Sequence, residues 1–377
     1  MDFTTYKFKD ICLDKGFIRG PFGSALKKSL FVPKGEDTYK VYEQCVPLEQ
    51  DKNKGEYYIT GDYFRQSLRR FEVKHNDFLV SCSGVNYGAI YHLEEPFEKG
   101  VINQALLIIR INDEMVDYKY FKYLFRLVLS KAITTGGGDS TIPNFPSMDV
   151  IKDIDVNLPN IQIQRRIGAV LDCLEKRIDQ NETVNDNLQQ MAYDTYMHLF
   201  FKKQMNGTLG QIIVENNKST VQVGEAKGSS GKLPFFTSGD AILEWNEPMI
   251  DGRNCYLNTG GNAGVKFYIG AAAYSTDTWC ITANRNLEDY LYLLLLSIKP
   301  ELNQKFFQGT GLKHLQKPLL KDRRIYIPSD EEIREFNSKI QPLMDMISAN
   351  TRENKRLIGL RDWLLPMLMN GQATVCG

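Results

Sequence analysis

A long heptad pattern occurs twice in the chain, and this repeat constrains the fold more than any other feature. Corresponding positions lie 169 residues apart and are mostly apolar in both copies. The first copy comprises Leu171, Leu174, Ile178, Asn181, Asn185, Leu188, Ala192, Thr195 and Leu199; the second comprises Ile340, Leu343, Ile347, Asn350, Asn354, Leu357, Arg361, Leu364 and Leu368. Such spacing is typical of helices that pack on another helix. The sequence therefore predicts two helices of about 40 residues, each about 60 Å long.

Helix-capping residues stand at the start of both copies. Pro159 and Pro328 disfavour helix in the residue before them, and Asn160 and Ser329 follow as N-caps. Ser329 with Glu332 matches a capping box. Residues typical of a helix end follow each pattern: Lys202, Lys203 and Gly207 in the first copy, and Asn370 and Gly371 in the second.

A helix of this length cannot bury its whole apolar seam in one small domain, so we expect the two helices to pack on each other. An intervening domain lets them run antiparallel. The residues expected to pair are Leu174, Ile178, Asn181, Asn185, Leu188, Leu343, Ile347, Asn350, Asn354 and Leu357. The asparagines have two interpretations: they are solvated, or Asn181 and Asn350 meet in a buried polar layer that fixes the register.

The segments before the helices repeat more faintly. Residues 83–88 (Ser-Gly-Val-Asn-Tyr-Gly) match residues 259–264 (Thr-Gly-Gly-Asn-Ala-Gly), and β-like segments flank both, which predicts a hairpin or bulge. A helical candidate follows in each copy, residues 118–131 and residues 287–299, with an extension toward Phe307 left open. Glycine-rich loops come next, at residues 136–138 and 309–311.

The predicted fold class is therefore α+β, with a pseudo-twofold internal repeat: two globular mixed α/β domains separated by two long antiparallel coiled-coil helices. The predicted boundaries are residues 1–157 for the first globular domain, 158–206 for the first long helix, 207–327 for the second domain and 328–377 for the second helix.

Composition narrows the functional class. The seven cysteines are scattered without a CxxC pair, which favours reduced thiols in the cytosol. No apolar run is long enough to span a bilayer, and the polar N-terminus does not resemble a signal peptide, so we expect a cytoplasmic protein. The net charge is zero. Contacts to DNA phosphates would therefore have to come from local basic clusters or from a partner.

Two stretches resemble catalytic motifs, but neither matches its motif fully. Residues 307–311 match the F-x-G-x-G of amino-methyltransferases, but the segment before them looks helical and the companion motif for the target amine is missing. Residues 72–74 form an E-x-K with Asp62 upstream, as in metal-dependent nucleases, but this pattern is common by chance. The four histidines have no metal-ligand spacing. We expect no catalytic residue, metal site or cofactor in this chain.

The order of motifs resembles the specificity subunit of type I restriction–modification systems over essentially the whole chain. The resemblance rests on the stretches Asp-Phe-Leu-Val-Ser (77–81) with Ser83-Gly84, Gly-Thr-Gly-Leu-Lys-His-Leu (309–315), Ile-Tyr-Ile-Pro (325–328), Asp-Glu-Glu-Ile (330–333) and residues 360–368. The first copy departs from the second at residues 135–138 and 142–144, where Thr-Gly-Gly-Gly and Ile-Pro-Asn stand.

The resemblance implies a non-catalytic targeting subunit. Each globular part would be a target-recognition domain that reads one half of a bipartite site in double-stranded DNA. The helices would act as a spacer and as the docking surface for two modification subunits. Those partners would methylate adenine, and restriction–translocase subunits would cut. S-adenosylmethionine, ATP and magnesium would bind to the partner subunits.

Three other functions stay open: a specificity subunit of a related modification system with a different cutting partner, a self-contained DNA methyltransferase or nuclease, and a coiled-coil scaffold that binds only protein.

Candidate DNA contacts are residues with groups suited to phosphates or base edges. In the first domain they are Arg19, Lys27, Lys28, Arg65, Arg69, Arg70, Ser83, Asn86 and Tyr87; in the second they are Lys227, Lys232, Thr259, Asn262, Lys266, Lys313, His314 and Lys317. For any of them the alternative is an ordinary exposed polar residue, and for the repeated loop it is a structural turn.

Overall fold

The computed structural model describes residues 2–135, 145–229 and 231–375. Backbone contacts divide the chain into two compact units, Met1–Lys176 with Ile358–Gly377, and Arg177–Leu357. Each unit contains one globular domain and part of each long helix. The glycine loop expected at residues 136–138 and the segment 142–144 lie outside the described residues.

The first unit carries these elements and the start of a long helix, in chain order: β1 (Thr4–Lys7), β2 (Cys12–Arg19), β3 (Thr38–Tyr42), α1 (Cys45–Glu49), β4 (Tyr58–Thr60), α2 (Gly61–Tyr63), β5 (Phe78–Ser81), β6 (Ile90–His92), β7 (Gly100–Ile102), β8 (Leu106–Ile111), α3 (Tyr118–Thr135), α4 (Met148–Lys152), β9 (Asp155–Leu158) and the long helix α5 (Ile161–Phe200).

The second unit repeats this arrangement: β10 (Gly207–Thr208), β11 (Ile213–Glu215), α6 (Val223–Ala226), β12 (Leu233–Phe236), β13 (Ile242–Trp245), β14 (Arg253–Asn258), β15 (Val265–Ile269), β16 (Ala273–Tyr274), β17 (Thr278–Ala283), α7 (Glu288–Ser297), α8 (Lys299–Glu301), β18 (Phe307–Gln308), β19 (His314–Leu315), α9 (Lys317–Lys321), β20 (Arg324–Ile325) and the long helix α10 (Asp330–Met369).

The two globular domains have the same sheet topology. A four-stranded sheet has the order β2-β8-β5-β6 in the first and β11-β17-β14-β15 in the second. A three-stranded sheet has the order β4-β3-β7 and β13-β12-β16, with one antiparallel and one parallel pairing in each. The pairs β1–β9 and β10–β20 join the two ends of each domain. The predicted internal repeat and mixed α/β class are confirmed.

One helix covers a face of the four-stranded sheet in each domain. In the first, Tyr120, Phe121 and Phe125 of α3 are buried against Phe8 and Phe78. In the second, α7 is buried on nearly every side from Tyr290 to Leu295, as expected for a helix that is apolar all round. The first helix runs four residues beyond the predicted 131. The second, α7, ends at Ser297, and short helical turns continue through α8 and Leu302–Phe306, so the extension toward Phe307 that the sequence left open is present as separate turns.

Both long helices have the predicted length and start. Each spans 40 residues. The Asn160 Oδ1 accepts a hydrogen bond from the backbone N–H of Ile163 at 3.0 Å, so Asn160 is the N-cap. At the second helix, Ser329 Oγ accepts from the Glu332 N–H at 3.3 Å and the Glu332 carboxylate accepts from the Ser329 N–H at 2.9 Å. The predicted capping box is confirmed.

Candidate nucleic-acid interface

One edge of the four-stranded sheet in the first unit gathers several loops. Arg19 ends β2 opposite Leu107, and Ser81 ends β5 opposite Leu106. The register therefore brings together the chain after β2, the turn between β5 and β6, and the turn between β7 and β8. We call this set, residues 19–28, 44, 83–88 and 103–105, the first loop edge.

The first loop edge carries several of the predicted DNA contacts. Arg19, Ser83 and Asn86 are exposed, as are Lys27 and Lys28. The ring of Tyr87 is half-buried against the core, and the Arg19 guanidinium lies 5.9 Å from the ring centre of Phe145. The register places Arg19, Ser83 and Asn86 at one edge of the domain. Lys27 and Lys28 come later in the chain after β2, beyond Ala25, whose carbonyl accepts a hydrogen bond from Tyr63.

Two amide side chains on this edge were missed by the sequence analysis. Gln44 Nε2 donates a hydrogen bond to the Ser83 carbonyl oxygen, which ties the end of β3 to the repeated loop. Gln104 is exposed in the turn between β7 and β8, next to Gly23. Both positions depend on the parallel pairing of β3 with β7, which is distant in sequence and leaves no local pattern.

The repeated loop of the first unit connects the hairpin strands β5 and β6 through six residues, 82–87. Gly84 and Gly88 have φ of +75° and +87°, a region that favours glycine. The Gly88 N–H donates to the Ser81 carbonyl at 2.7 Å, and a Cβ at Gly88 would collide with the side chain of Leu129. The loop is therefore held against α3, and its residues 83–86 are exposed to solvent. This agrees with the predicted hairpin.

The predicted arginine cluster does not join this edge. Arg65 donates to Asp37 at 2.9 Å and to Asp62 at 2.6 Å, and these carboxylates raise the pKa of its guanidinium. Arg70 lines a cavity of about 860 Å³ at the opposite edge of the sheet, together with Lys15 and Lys74. Arg69 is exposed nearby. Arg65 thus has its charge already compensated, whereas Arg69 and Arg70 stay predictions at a separate location.

The second unit has an equivalent loop edge. Leu257 pairs with Val265, so residues 259–264 form the turn between β14 and β15. The turn is bonded to the segment before β19: the Gly261 N–H donates to the Lys313 carbonyl at 2.9 Å, and the Leu315 N–H donates to the Thr259 carbonyl at 3.0 Å. We call residues 237–240, 259–264, 275–277 and 309–314 the second loop edge.

Three of the predicted contacts in the second domain are exposed on this edge: Asn262, Lys313 and His314. Two others are engaged within the protein. The Thr259 hydroxyl donates to the Asp277 carbonyl at 2.7 Å. Lys266 Nζ donates to the Thr237 carbonyl at 3.0 Å, and burial lowers its pKa. The first three are therefore free to meet a ligand, whereas Thr259 and Lys266 stabilise the loops.

The remaining lysines lie away from the centre of the second loop edge. Lys317 Nζ lies 4.8 Å from the ring centre of Trp279, and burial lowers the pKa of its amine. Lys227 is exposed in the connection from β11 to β12. Lys232 precedes β12 at the strand end remote from residue 237, and its carbonyl accepts from Lys355 Nζ at 2.9 Å. The side chains of Lys227 and Lys232 are both exposed, whereas that of Lys317 is packed against Trp279.

All ten residues predicted to pair the helices are buried or half-buried. In the second unit the asparagines form hydrogen bonds across the helices. Asn181 Nδ2 donates to Asn354 Oδ1 at 2.8 Å, and Asn350 Nδ2 donates to Asn185 Oδ1 at 2.9 Å. The expected Asn181–Asn350 pair is therefore wrong: the antiparallel stagger pairs the first asparagine of each helix with the second of the other.

The two stretches that resemble catalytic motifs have structural partners. Asp62 is bound to Arg65, and Phe307-Gln308 pairs as a short strand with His314-Leu315. In the described ranges, no group of three or more His, Cys, Asp or Glu side chains could hold a metal ion. Within the same ranges, no helix has both the length and the apolar character to cross a bilayer.

Comparisons with known proteins point to one family. The family model described as "Type I restriction modification DNA specificity domain" matches twice, at residues 40–190 and 202–358. The Type I restriction enzyme MjaIX specificity subunit of Methanocaldococcus jannaschii is 21% identical over 86% of this chain and 83% of its own length. The MjaVIII specificity subunit of the same organism is 20% identical over 84% of this chain and 86% of its length.

The fold also has a solved counterpart. The S subunit of a type I restriction–modification system from M. genitalium superposes with a TM-score of 0.61, covering 97% of this chain and 96% of that one. The sequence identity is 16%, so this likeness concerns the fold alone.

Proposed function

Because this chain belongs to the family of type I restriction–modification DNA specificity domains, we propose that it directs a type I complex to one bipartite DNA site, with each globular domain reading one half. The observation that carries this proposal is the pair of loop edges. Two domains of identical topology each expose polar side chains on equivalent turns.

The side chains on the edges have the chemistry of base and phosphate recognition. Glutamine and asparagine can each form two hydrogen bonds with adenine, and arginine can form two with guanine. Lysine contacts the phosphates. On the first edge Asn86 and Gln104 supply exposed amides and Arg19 supplies a guanidinium, while Gln44 holds the loop that carries Asn86. On the second, Asn262, Lys313 and His314 are exposed. The two edges differ in composition, which supports recognition of two different half-sites.

The partners are two modification subunits, which would dock on the long helices, and restriction–translocase subunits. Exposed apolar side chains on the helices support docking: Val184, Met191 and Met346 in the second unit, and Ile358, Leu360 and Trp363 in the first. S-adenosylmethionine, ATP and magnesium would be bound by the partners, and adenine would be methylated there. The complex would work in the cytoplasm, consistent with the six free cysteines among the described residues.

The first test is enzymatic. The purified chain alone should neither methylate nor cleave DNA, whereas the chain with its modification subunit should methylate adenine at one bipartite sequence. Methyl transfer by the chain alone would contradict the targeting role.

The second test concerns the two domains. Exchange of residues 1–157 for the matching domain of another specificity subunit should change one half of the methylated sequence. Genome-wide mapping of methyladenine measures this. A change in both halves would contradict independent reading.

A further inference from the structure

The three most exposed large apolar side chains of the described residues lie on the two loop edges. Phe22 is 90% exposed, Val85 is 88% exposed and Leu312 is 66% exposed. Phe22 and Val85 belong to the first loop edge and Leu312 to the second. The next in order, Phe201 at 61% and Trp363 at 58%, lie at or on the long helices.

Folding does not account for these three side chains, because none belongs to a buried cluster. Single exposed apolar residues are common on protein surfaces and need no explanation. Here, however, the extremes of exposure coincide with corresponding edges of two duplicated domains. We take this as an indication that both domains bind the same kind of ligand on these edges.

The backbone under each side chain is held in place. The Phe22 carbonyl accepts from the Ala25 N–H at 2.8 Å, and Gln44 anchors the loop that carries Val85. At the second edge Gly309 has φ of +147°, and a Cβ there would lie 2.7 Å from the Leu312 carbonyl oxygen. The apolar side chains are thus presented on anchored turns, which lowers the entropy lost when a ligand covers them.

We propose that Phe22 and Val85 in the first domain, and Leu312 in the second, contact the bases of their half-sites. This inference rests on the proposed function and adds specificity-determining residues of apolar chemistry. Cations flank the apolar side chains on both edges: Arg19 and Lys27 on the first, and Lys313 on the second. Cations around an apolar centre match DNA, whose phosphates border the bases.

Apolar side chains can meet DNA bases in two ways. The thymine methyl is the apolar group on the major-groove edges of the base pairs. Alternatively, a side chain such as phenylalanine or leucine inserts between base steps and partly unstacks them. Both modes are contacts with bases, and the experiment separates them.

The experiment uses the full chain assembled with its modification subunits, with half-sites first identified by methylation mapping of the wild type. Phe22→Ala, Val85→Ala and Leu312→Ala are compared with Val214→Ala, a control on β11 that is 42% exposed and lies on neither a loop edge nor a long helix. We expect Phe22→Ala to weaken binding to the cognate duplex about tenfold, the lower range for burial of such a side chain. The dependence of binding on salt should stay unchanged, because no phosphate contact is lost.

The effects should also be confined to one half-site. Phe22→Ala and Val85→Ala should relax methylation specificity in the half read by the first domain, and Leu312→Ala in the other half. Replacement of single thymines by deoxyuridine should weaken wild-type binding about fourfold where a methyl group is covered, and this loss should vanish in the matching variant. If the side chain instead inserts between two bases, the fluorescence of 2-aminopurine placed at that base step should rise when the wild type binds, and not when the variant binds.

Either signal supports the proposal. Affinities and methylation maps of all three variants that match those of Val214→Ala would overturn it while leaving the proposed function intact. A wild-type chain that directs no methylation would instead refute the proposed function itself.

Discussion

The asparagine pair between the long helices allows a quantitative test. Asn181 is 3% exposed and Asn354 is 7% exposed. Asn181 Nδ2 donates to Asn354 Oδ1 at 2.8 Å and to the Glu353 carboxylate at 3.0 Å, and Asn354 Nδ2 donates to the Ile178 carbonyl at 3.2 Å. In Asn354→Leu, one N–H of Asn181 stays buried without an acceptor. The free energy of unfolding should fall by about 1–3 kcal/mol.

The double variant Asn181→Leu with Asn354→Leu should behave differently. It removes both amides, leaves Glu353 bound to Arg177, and places two apolar side chains in contact. Replacement of a buried polar group by apolar residues of similar volume is often neutral or stabilising. We therefore expect the double variant to unfold near the wild-type temperature. Its loss in free energy of unfolding should be smaller than the sum of the two single losses by about 2 kcal/mol or more.

Differential scanning calorimetry of the full chain measures this, since 1 kcal/mol shifts the melting temperature of a unit of this size by about 2–4 °C. Asn187→Leu, an exposed asparagine on the same helix, is the matched control and should change stability by less than about 0.5 kcal/mol. A double variant that loses the full sum of the single effects would refute the reasoning, because it would show independent, net-stabilising hydrogen bonds.

Three further predictions follow from single contacts. Arg253→Met should destabilise the second unit by about 3 kcal/mol, more than Asp289→Asn does, because it leaves a carboxylate that is 1% exposed without its cation. Burial raises the pKa of Asp289 to about 6 even though Arg253 lowers it, so loss of Arg253 raises that pKa further. The loss measured by urea unfolding should therefore shrink as the pH falls from 8 toward 6, because the carboxylate of the variant takes up its proton at a higher pH than that of the wild type; an equal loss at pH 8 and pH 5 would contradict it. The hydrogen bond from the Ser329 N–H, together with the Tyr326 hydroxyl, lowers the pKa of Glu332 from 4.5 to about 2. The ionised carboxylate therefore stabilises the fold fully above pH 4.5, and this contribution is lost as the pH falls toward 2. The difference between wild type and Glu332→Gln should therefore narrow as the pH falls from 4.5 toward 2, and a constant difference in acid titrations would count against the cap. A Cβ at Gly20 would overlap the carbonyl oxygen of Asn103, so Gly20→Ala should lower both the melting temperature and DNA affinity, whereas an unperturbed variant would mean that the loop adapts.

The long helices were predictable because their signals are local. Asn160, Ser329 and the heptad positions act within a few residues, and the structure shows both caps and both 40-residue spans. The pairing of Asn181 was predicted with the wrong partner. The stagger of two antiparallel helices depends on how the helices pack side by side, and the heptad pattern of each helix alone does not specify it.

The loop edges were only partly predictable. The repeat identified residues 83–88 and 259–264 as equivalent turns, which the shared topology supports. Gln44 and Gln104 reach the same edge through the pairing of β3 with β7, strands about 60 residues apart whose register has no local signature. Likewise, charge alone suggested Arg65 as a DNA contact, but its two acidic partners become visible only in the folded chain.

The paired end strands of each globular domain have an evolutionary consequence. Thr4 lies opposite Leu158 in the first domain and Gly207 lies opposite Ile325 in the second, so the chain enters and leaves each domain at adjacent points, about 5 Å apart for antiparallel partners. The first and last strands of each domain thus pair with each other, so a whole domain can be replaced as one unit. A replacement of any length whose ends meet at that spacing can be spliced in without shifting the heptads that follow. Genetic exchange can therefore diversify what is read while the helical frame stays the same.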